Sequence, residues 1–218
     1  MKLLAHTEPN FGSPIVTVHR ALALRKNRPE EWEGKPLYDI IRLRQMTPVN
    51  RGDKSSSFAF QGGSGGGHGM GSKGIAHELV QEYVCKLPQW DIRVYDKKFN
   101  LRIDSSEDEW CVTDSAHGKN YYLDCMLNLT PDSDLYTESG GRIGIEVTDC
   151  HPTGHAKRKA LSRAGLLVLE LNTIDEWHVR NEMQITSDNL RLLRARINGF
   201  LNKGSHLSCL CKPTNVRI

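Results

Sequence analysis

The sequence predicts an α/β protein in which a mixed sheet is flanked by helices. Three observations carry this expectation: an amphipathic helical pattern over Ile75–Lys86, a series of short strand-like segments between Asp91 and Thr148, and a basic helix leading into the apolar run Leu166–Leu171. A strand, a helix and a second apolar strand form a right-handed parallel crossover when both strands share a sheet. With 218 residues, 38% hydrophobic and 25% charged, the chain is long enough for one cored domain with additions, and disorder over its whole length is excluded.

The first sixty residues carry weaker signals. Ile15–Val18 suits either a strand or the opening of a helix through Leu22 and Leu24. Pro29–Pro36 reads as a polar connection, Leu37–Met46 as one short element with Leu37, Ile40, Ile41 and Leu43 on its apolar side, and Pro48–Ser57 as a loop. Gly62 to Gly74 then holds eight glycines in thirteen residues. Such a segment is either a flexible linker or a loop offering backbone N–H groups to phosphate; the Walker pattern is not met, because Lys73 is followed by Gly74.

Beyond the glycines the pattern becomes regular. Ile75, Leu79, Val80, Tyr83 and Val84 share one helical face, which Ser72 precedes and Pro88 stops. Asp91–Tyr95 and Phe99–Ile103 alternate as strands about the turn Asp96–Lys98, and the polar stretch Ser105–Glu109 reads as a connection to Trp110–Val112. Tyr121–Leu129 and the β-branched Ile143–Thr148 are stronger strands. A basic helix runs from Gly154 to Ala164 and Gly165 ends it. Finally Asp188–Leu201 is amphipathic, with Leu190, Leu193 and Ile197 inward and Arg191, Arg194 and Arg196 outward.

Charge is unevenly distributed. The formal net charge is +3, yet from Lys157 onward eleven Lys/Arg face five Asp/Glu, so the remainder of the chain is acidic. A local basic surface, not the average, is what binds phosphate. The expectation is therefore a polyanion held by Lys157, Arg158, Lys159, Arg191 and Arg194, weighed against an ordinary solvated helix face. Aromatic residues make up only 7%, which favours backbone contact with a duplex over stacking on single strands. No apolar run reaches bilayer length and Met1–Glu8 lacks a signal-peptide core, so a cytoplasmic chain with no membrane partner is expected. Six scattered cysteines suit reduced core residues better than a disulfide framework.

Two acidic residues sit inside segments that otherwise call for burial: Asp124 in Tyr121–Leu129 and Glu146 in Ile143–Thr148. Carboxylates on adjacent central strands repel unless a cation joins them or one is protonated, and a divalent metal removes the conflict. Mg²⁺ takes one or two carboxylates together with substrate phosphate oxygens.

These residues carry a resemblance. The lone Asp124, then Glu146-Val147-Thr148, then His151-Pro152 and Lys157 leading a helix into an apolar strand resemble the PD-(D/E)XK nuclease superfamily, in the form seen in competence-protein-type nuclease domains. The similarity spans about residues 72–172. It implies a restriction-endonuclease-like core (helix, three-stranded meander, helix, strand) at 75–172, with an N-terminal elaboration at 1–61, the glycine-rich loop at 62–74, and a C-terminal helix and tail at 173–218. It further implies a Mg²⁺- or Mn²⁺-dependent endonuclease, DNA being the favoured partner and a homodimer the corresponding assembly. Asp124 and Glu146 would hold the metal, with Glu78 or Glu82 assisting from the first helix. Thr148 stands where the family usually has Lys, so Lys157 is the candidate to support the attacking water, with Lys159 second. His151 is either an acid or phosphate contact, or a helix cap. The alternatives are a catalytically silent binding module on the same fold and a nucleotide-phosphate enzyme using the glycine loop.

Overall fold

A computed structural model describes residues 2–50, 56–61, 74–148, 152–173 and 186–213, and it is a mixed α/β structure with two sheets. The glycine-rich loop expected at 62–74, apart from Gly74, and His151 lie outside the described residues. Contacts divide the chain into two units: residues 1–78 with 179–194, and 79–178 with 195–218. The first division falls inside a helix, between Glu78 and Leu79, rather than at the glycines.

In the first unit, strands β1 (Leu4–His6), β2 (Ile15–Thr17), β3 (Leu37–Asp39), β4 (Gln45–Val49) and β5 (Ser57–Phe60) form an antiparallel sheet in the order β2-β1-β3-β4-β5. The two readings of Ile15–Val18 are both realised. Ile15–Thr17 is β2, and the Thr17 hydroxyl accepts the Arg20 N–H at 3.2 Å to start helix α1 (Val18–Asn27). Helix α2 (Pro29–Trp32) occupies part of the expected polar connection, with Pro29 at its first turn. The single element expected over Leu37–Met46 is instead a hairpin. Asp39 Oδ1 accepts the Ile41 N–H at 3.2 Å and Leu43 adopts a left-handed φ of 53°, so the chain reverses between β3 and β4.

Helix α3 (Ile75–Val84) contributes its first turn, through Glu78, to this unit. Lys2, Asp39 and Glu78 are all buried, and Lys2 Nζ lies 3.5 Å from Asp39 Oδ1. Glu78 Oε2 accepts the backbone N–H groups of Leu3 and Leu4 at 2.8 and 2.9 Å. Burial pushes the Glu78 carboxyl up to about 7, against the opposing pull of Lys2 and the Leu3 N–H.

The second unit holds strands β6 (Gln89–Val94), β7 (Lys97–Asp114), β8 (Lys119–Leu129), β9 (Arg142–Thr148), β10 (Leu167–Asn172) and β11 (Ser205–Cys211), with helices α4 (Tyr136–Ser139) and α5 (His155–Arg163) and the second half of α6 (Ser187–Leu201). The strands form a closed ring in the order β10-β11-β6-β7-β8-β9. Strands β6 to β9 make a four-stranded antiparallel meander, one strand more than expected, and β9 pairs in parallel with β10 through α5 as the crossover rule requires.

Two expectations are corrected here. Ser105–Glu109 is not a connection: it continues β7, because β8 supplies a partner for its backbone over Ser105↔Asn128 to Asp108↔Cys125. Ser105 and Glu107 are exposed and Asp108 is buried; polar side chains on the solvent side of a ladder cost little when the backbone is paired. The irregularity shows as a register shift between Ile103 and Ser105 and a left-handed φ of 51° at Glu109. The C-terminal tail is likewise a strand, β11, parallel to β6 and antiparallel to β10. By bonding both, it removes two sheet edges that would otherwise present unpaired N–H and C=O groups.

Strands β8, β9 and β10 are buried on both faces, which explains their near-continuous apolar runs. Leu161 of α5 packs with Val112, Leu123, Met126 and Val168, and Gly144 lies beneath, where a Cβ would stand 2.9 Å from Leu123 Cδ1. The far end of α5 is fastened by Arg163, whose Nε and Nη2 donate to the two carboxylate oxygens of Asp114 at 3.0 and 2.6 Å. The Arg163 hydrogen bonds, joined by one from His117, hold the Asp114 carboxyl well below the usual range. Among the described residues, no helix is long and apolar enough to cross a membrane.

Candidate active site

The candidate site lies in the second unit, where the meander stops pairing regularly. The β8–β9 ladder ends at Cys125↔Ile145. At the next residue of β8, Asp124 turns its carboxylate to the neighbouring strand, Oδ2 accepting the Val147 N–H at 2.9 Å. The side chain thus replaces a ladder bond and satisfies a buried donor that would otherwise be orphaned. Helix α3 meets the same residue: Gln81 Nε2 donates to the Asp124 carbonyl at 2.6 Å. Asp124 is therefore fixed by its own backbone and by its side chain, one residue from Glu146 on β9.

Glu146 is buried, and Lys157 Nζ from α5 stands 2.6 Å from its Oε1. The parallel register pairs Glu146 with Glu170 of β10, so the two carboxylates share a sheet face. Their repulsion is relieved by separate partners. Glu170 Oε1 accepts the hydroxyls of Thr148 and Thr153 at 2.9 and 3.1 Å, and Arg158 Nη2 lies 3.8 Å from its Oε2. Thr148, the residue at the position where a Lys was sought, thus orients Glu170. Cys211 of β11 adjoins the group; burial, then Cys209 and Glu146, push its thiol up to about 11.

Of the candidates read from the sequence, Lys157 contacts Glu146, Asp124 bonds the backbone of the adjoining Val147, and Arg158 lies by Glu170. Glu82 is in the same unit, buried on α3, with Lys86 Nζ at 2.7 Å from its Oε1 one turn on. Glu78 belongs to the first unit and holds the β1 backbone. Lys159 is exposed on α5, and Arg191 and Arg194 fall in the first-unit half of α6. Two contributors escaped the list of candidates. Gln81 carried a faint signal, a polar residue between Val80 and Glu82 in a helix otherwise buried on that side; Glu170 carried a clearer one, an acidic residue inside the apolar run Leu166–Leu171.

A divalent cation fits this donor set in chemical type: Asp124 and Glu146 offer hard carboxylate oxygens, the ligands of Mg²⁺ and Mn²⁺. Among the described residues no group of three or more His, Cys, Asp or Glu side chains is arranged to hold a metal. Two protein carboxylates completed by phosphate oxygens is a mode Mg²⁺ commonly adopts. No protein-family model, curated protein or solved structure matches this chain.

Proposed function

We propose that the second unit is a metal-dependent nuclease that hydrolyses phosphodiester bonds of nucleic acid, with DNA the favoured substrate, on a restriction-endonuclease-like core. The observation that carries this reading is the 2.6 Å approach of Lys157 to Glu146, with Asp124 bonded to the adjoining Val147. A Lys from the helix after β9 at this distance supports the expectation that Lys157 serves where Thr148 cannot.

The chain's own residues divide the work. Asp124 and Glu146 would hold Mg²⁺ or Mn²⁺, which when bound neutralises phosphate oxygens and lowers the pKa of a coordinated water. Lys157 pairs with the Glu146 carboxylate and would offset charge developing on a bound phosphate. Glu170, with Thr148, Thr153 and Arg158, fixes the entry to α5 and so the direction from which Lys157 arrives.

The test is cleavage of plasmid, linear duplex, single-stranded DNA and RNA in Mg²⁺ or Mn²⁺ by the purified chain, beside Asp124→Ala, Glu146→Ala and Lys157→Ala. Wild-type cleavage that each substitution lowers by at least about a hundredfold supports the assignment. Cleavage indifferent to Asp124→Ala and Glu146→Ala, or a wild type that cuts none of the substrates, removes the hydrolase reading.

A further inference from the structure

A second polar concavity lies in the same unit, a cavity of about 470 Å³ formed by the β6–β7 hairpin and the turn between α6 and β11. Arg93 and Lys98 are cross-strand partners there, directly opposite in the β6–β7 register. Like charges so placed destabilise a sheet unless a counter-charge intervenes. Lys203 enters the same cavity from the turn, where Gly204 adopts a left-handed φ of 88° that a side chain would disfavour.

Two carboxylates, Asp91 and Asp134, also line the cavity and offset part of this charge, and both are oriented by Asn100. Asp91 Oδ1 accepts the Asn100 side-chain amide at 2.5 Å, and Asp134 Oδ2 accepts the Asn100 backbone N–H at 2.6 Å. Among the described residues, Arg93, Lys98 and Lys203 have no ion-pair partner. Three cations and two carboxylates therefore line one concavity, which leaves it net positive with the donors of Arg93, Lys98 and Lys203 outside any ion pair among the described residues. A solvated helix face would spread its charges apart; here the hairpin and a left-handed turn bring them together. The ligand that resolves this is an anion with several acceptor oxygens.

We propose that this cavity is a phosphate subsite that takes a backbone phosphodiester of a nucleic-acid strand, held by Arg93, Lys98 and Lys203. The choice of a strand over a free phosphate rests on the nuclease reading above. Such a contact positions a strand without reading its sequence.

The experiment measures binding apart from cleavage. A fluorescein-labelled duplex and a single strand are titrated with the full chain in EDTA at several salt concentrations, comparing wild type with Lys98→Ala/Lys203→Ala. Thermal unfolding in the presence of inorganic phosphate is recorded in parallel, which also verifies that the variant folds. The expected result is an affinity about tenfold weaker for the variant, with a log K against log [salt] slope shallower by roughly one per contact removed. Equal affinity and equal slope with no stabilisation by inorganic phosphate overturn the subsite, as does a wild type that binds neither strand form and is not stabilised by phosphate. Stabilisation of wild type alone by inorganic phosphate, with nucleic-acid binding unchanged in the variant, overturns the strand as occupant. Loss of binding in the variant, with no cleavage by wild type in Mg²⁺ or Mn²⁺, supports the subsite and removes only the nuclease reading.

Discussion

Lys157 Nζ and Glu146 Oε1 stand 2.6 Å apart, joining the basic helix α5 to the central strand β9 at a point where both side chains are largely shielded from water. Removing one partner from such a pair leaves a desolvated charge without its complement. Lys157→Ala is expected to lower stability by about 3–5 kcal/mol, while Lys157→Met combined with Glu146→Gln recovers most of the loss. Urea unfolding of wild type, both single variants and the double variant checks this; additive losses would show that the two side chains are not coupled.

Glu78 introduces a pH dependence of a different kind. Burial raises its carboxyl from 4.5 to about 7, so the folded chain favours the protonated form more than the unfolded chain does. Its contribution to stability is complete below the ordinary value of 4.5 and is lost as pH rises through about 7. The difference corresponds to roughly 3 kcal/mol. Glu78→Gln, which stays neutral and keeps an oxygen for the Leu3 and Leu4 N–H groups, should flatten the stability profile across that window. Denaturant midpoints measured from acid to mildly alkaline pH check this, and a wild-type profile as flat as the variant's would contradict it.

Among the described glycines, an added Cβ comes nearest to neighbouring atoms at Gly144. A Cβ there would meet Leu123 Cδ1 at 2.9 Å and Val168 Cγ2 at 3.1 Å, both fully buried. Gly→Ala in a strand ordinarily gains from reduced unfolded-state entropy, but overpacking outweighs that gain. Gly144→Ala should destabilise by about 1–3 kcal/mol, and Gly144→Ala with Leu123→Val should recover part of it. Calorimetry on the two variants checks the order.

Thiol reactivity should follow position in the ring. Cys111 is exposed on β7, Cys125 is fully buried on β8, and Cys211 is half-buried beside Glu146. The hydrogen bond from Cys85 and burial hold the Cys125 thiol well above its ordinary value, and burial raises Cys211 to about 11. Because the thiolate is the nucleophile, iodoacetamide near neutral pH should label Cys111 first and leave Cys125 and Cys211 unmodified until unfolding. Peptide mass mapping over time reads the order directly.

Much of the second unit was legible from periodicity. Helices α3, α5 and α6 and strands β8, β9 and β10 all fall within a few residues of their expected positions: α3 and α6 carry a helical apolar period, β8 to β10 near-continuous apolar runs, and α5 a basic stretch closed by Gly165. Asp124 and Glu146 were legible for the opposite reason, as charges inside those patterns. The errors lie where local signal was weak or misleading. The polar Ser105–Glu109 gave no hint that β8 would pair it, and the hairpin at Asp39–Leu43 depends on a side-chain bond and one left-handed residue that an apolar count does not register.

From the sequence alone came the α/β class, helices α3 and α5 and strands β8, β9 and β10 in their order, and the acidic residues that such strands would not carry without cause. Those follow from interactions between residues near one another in the chain. The tertiary structure alone decided that β11 closes a ring, that Lys157 reaches Glu146, that Glu78 binds β1, and that Arg93, Lys98 and Lys203 share a cavity. Each of these joins groups whose meeting depends on strand register and helix direction, which the packing of the whole core sets and no local pattern records.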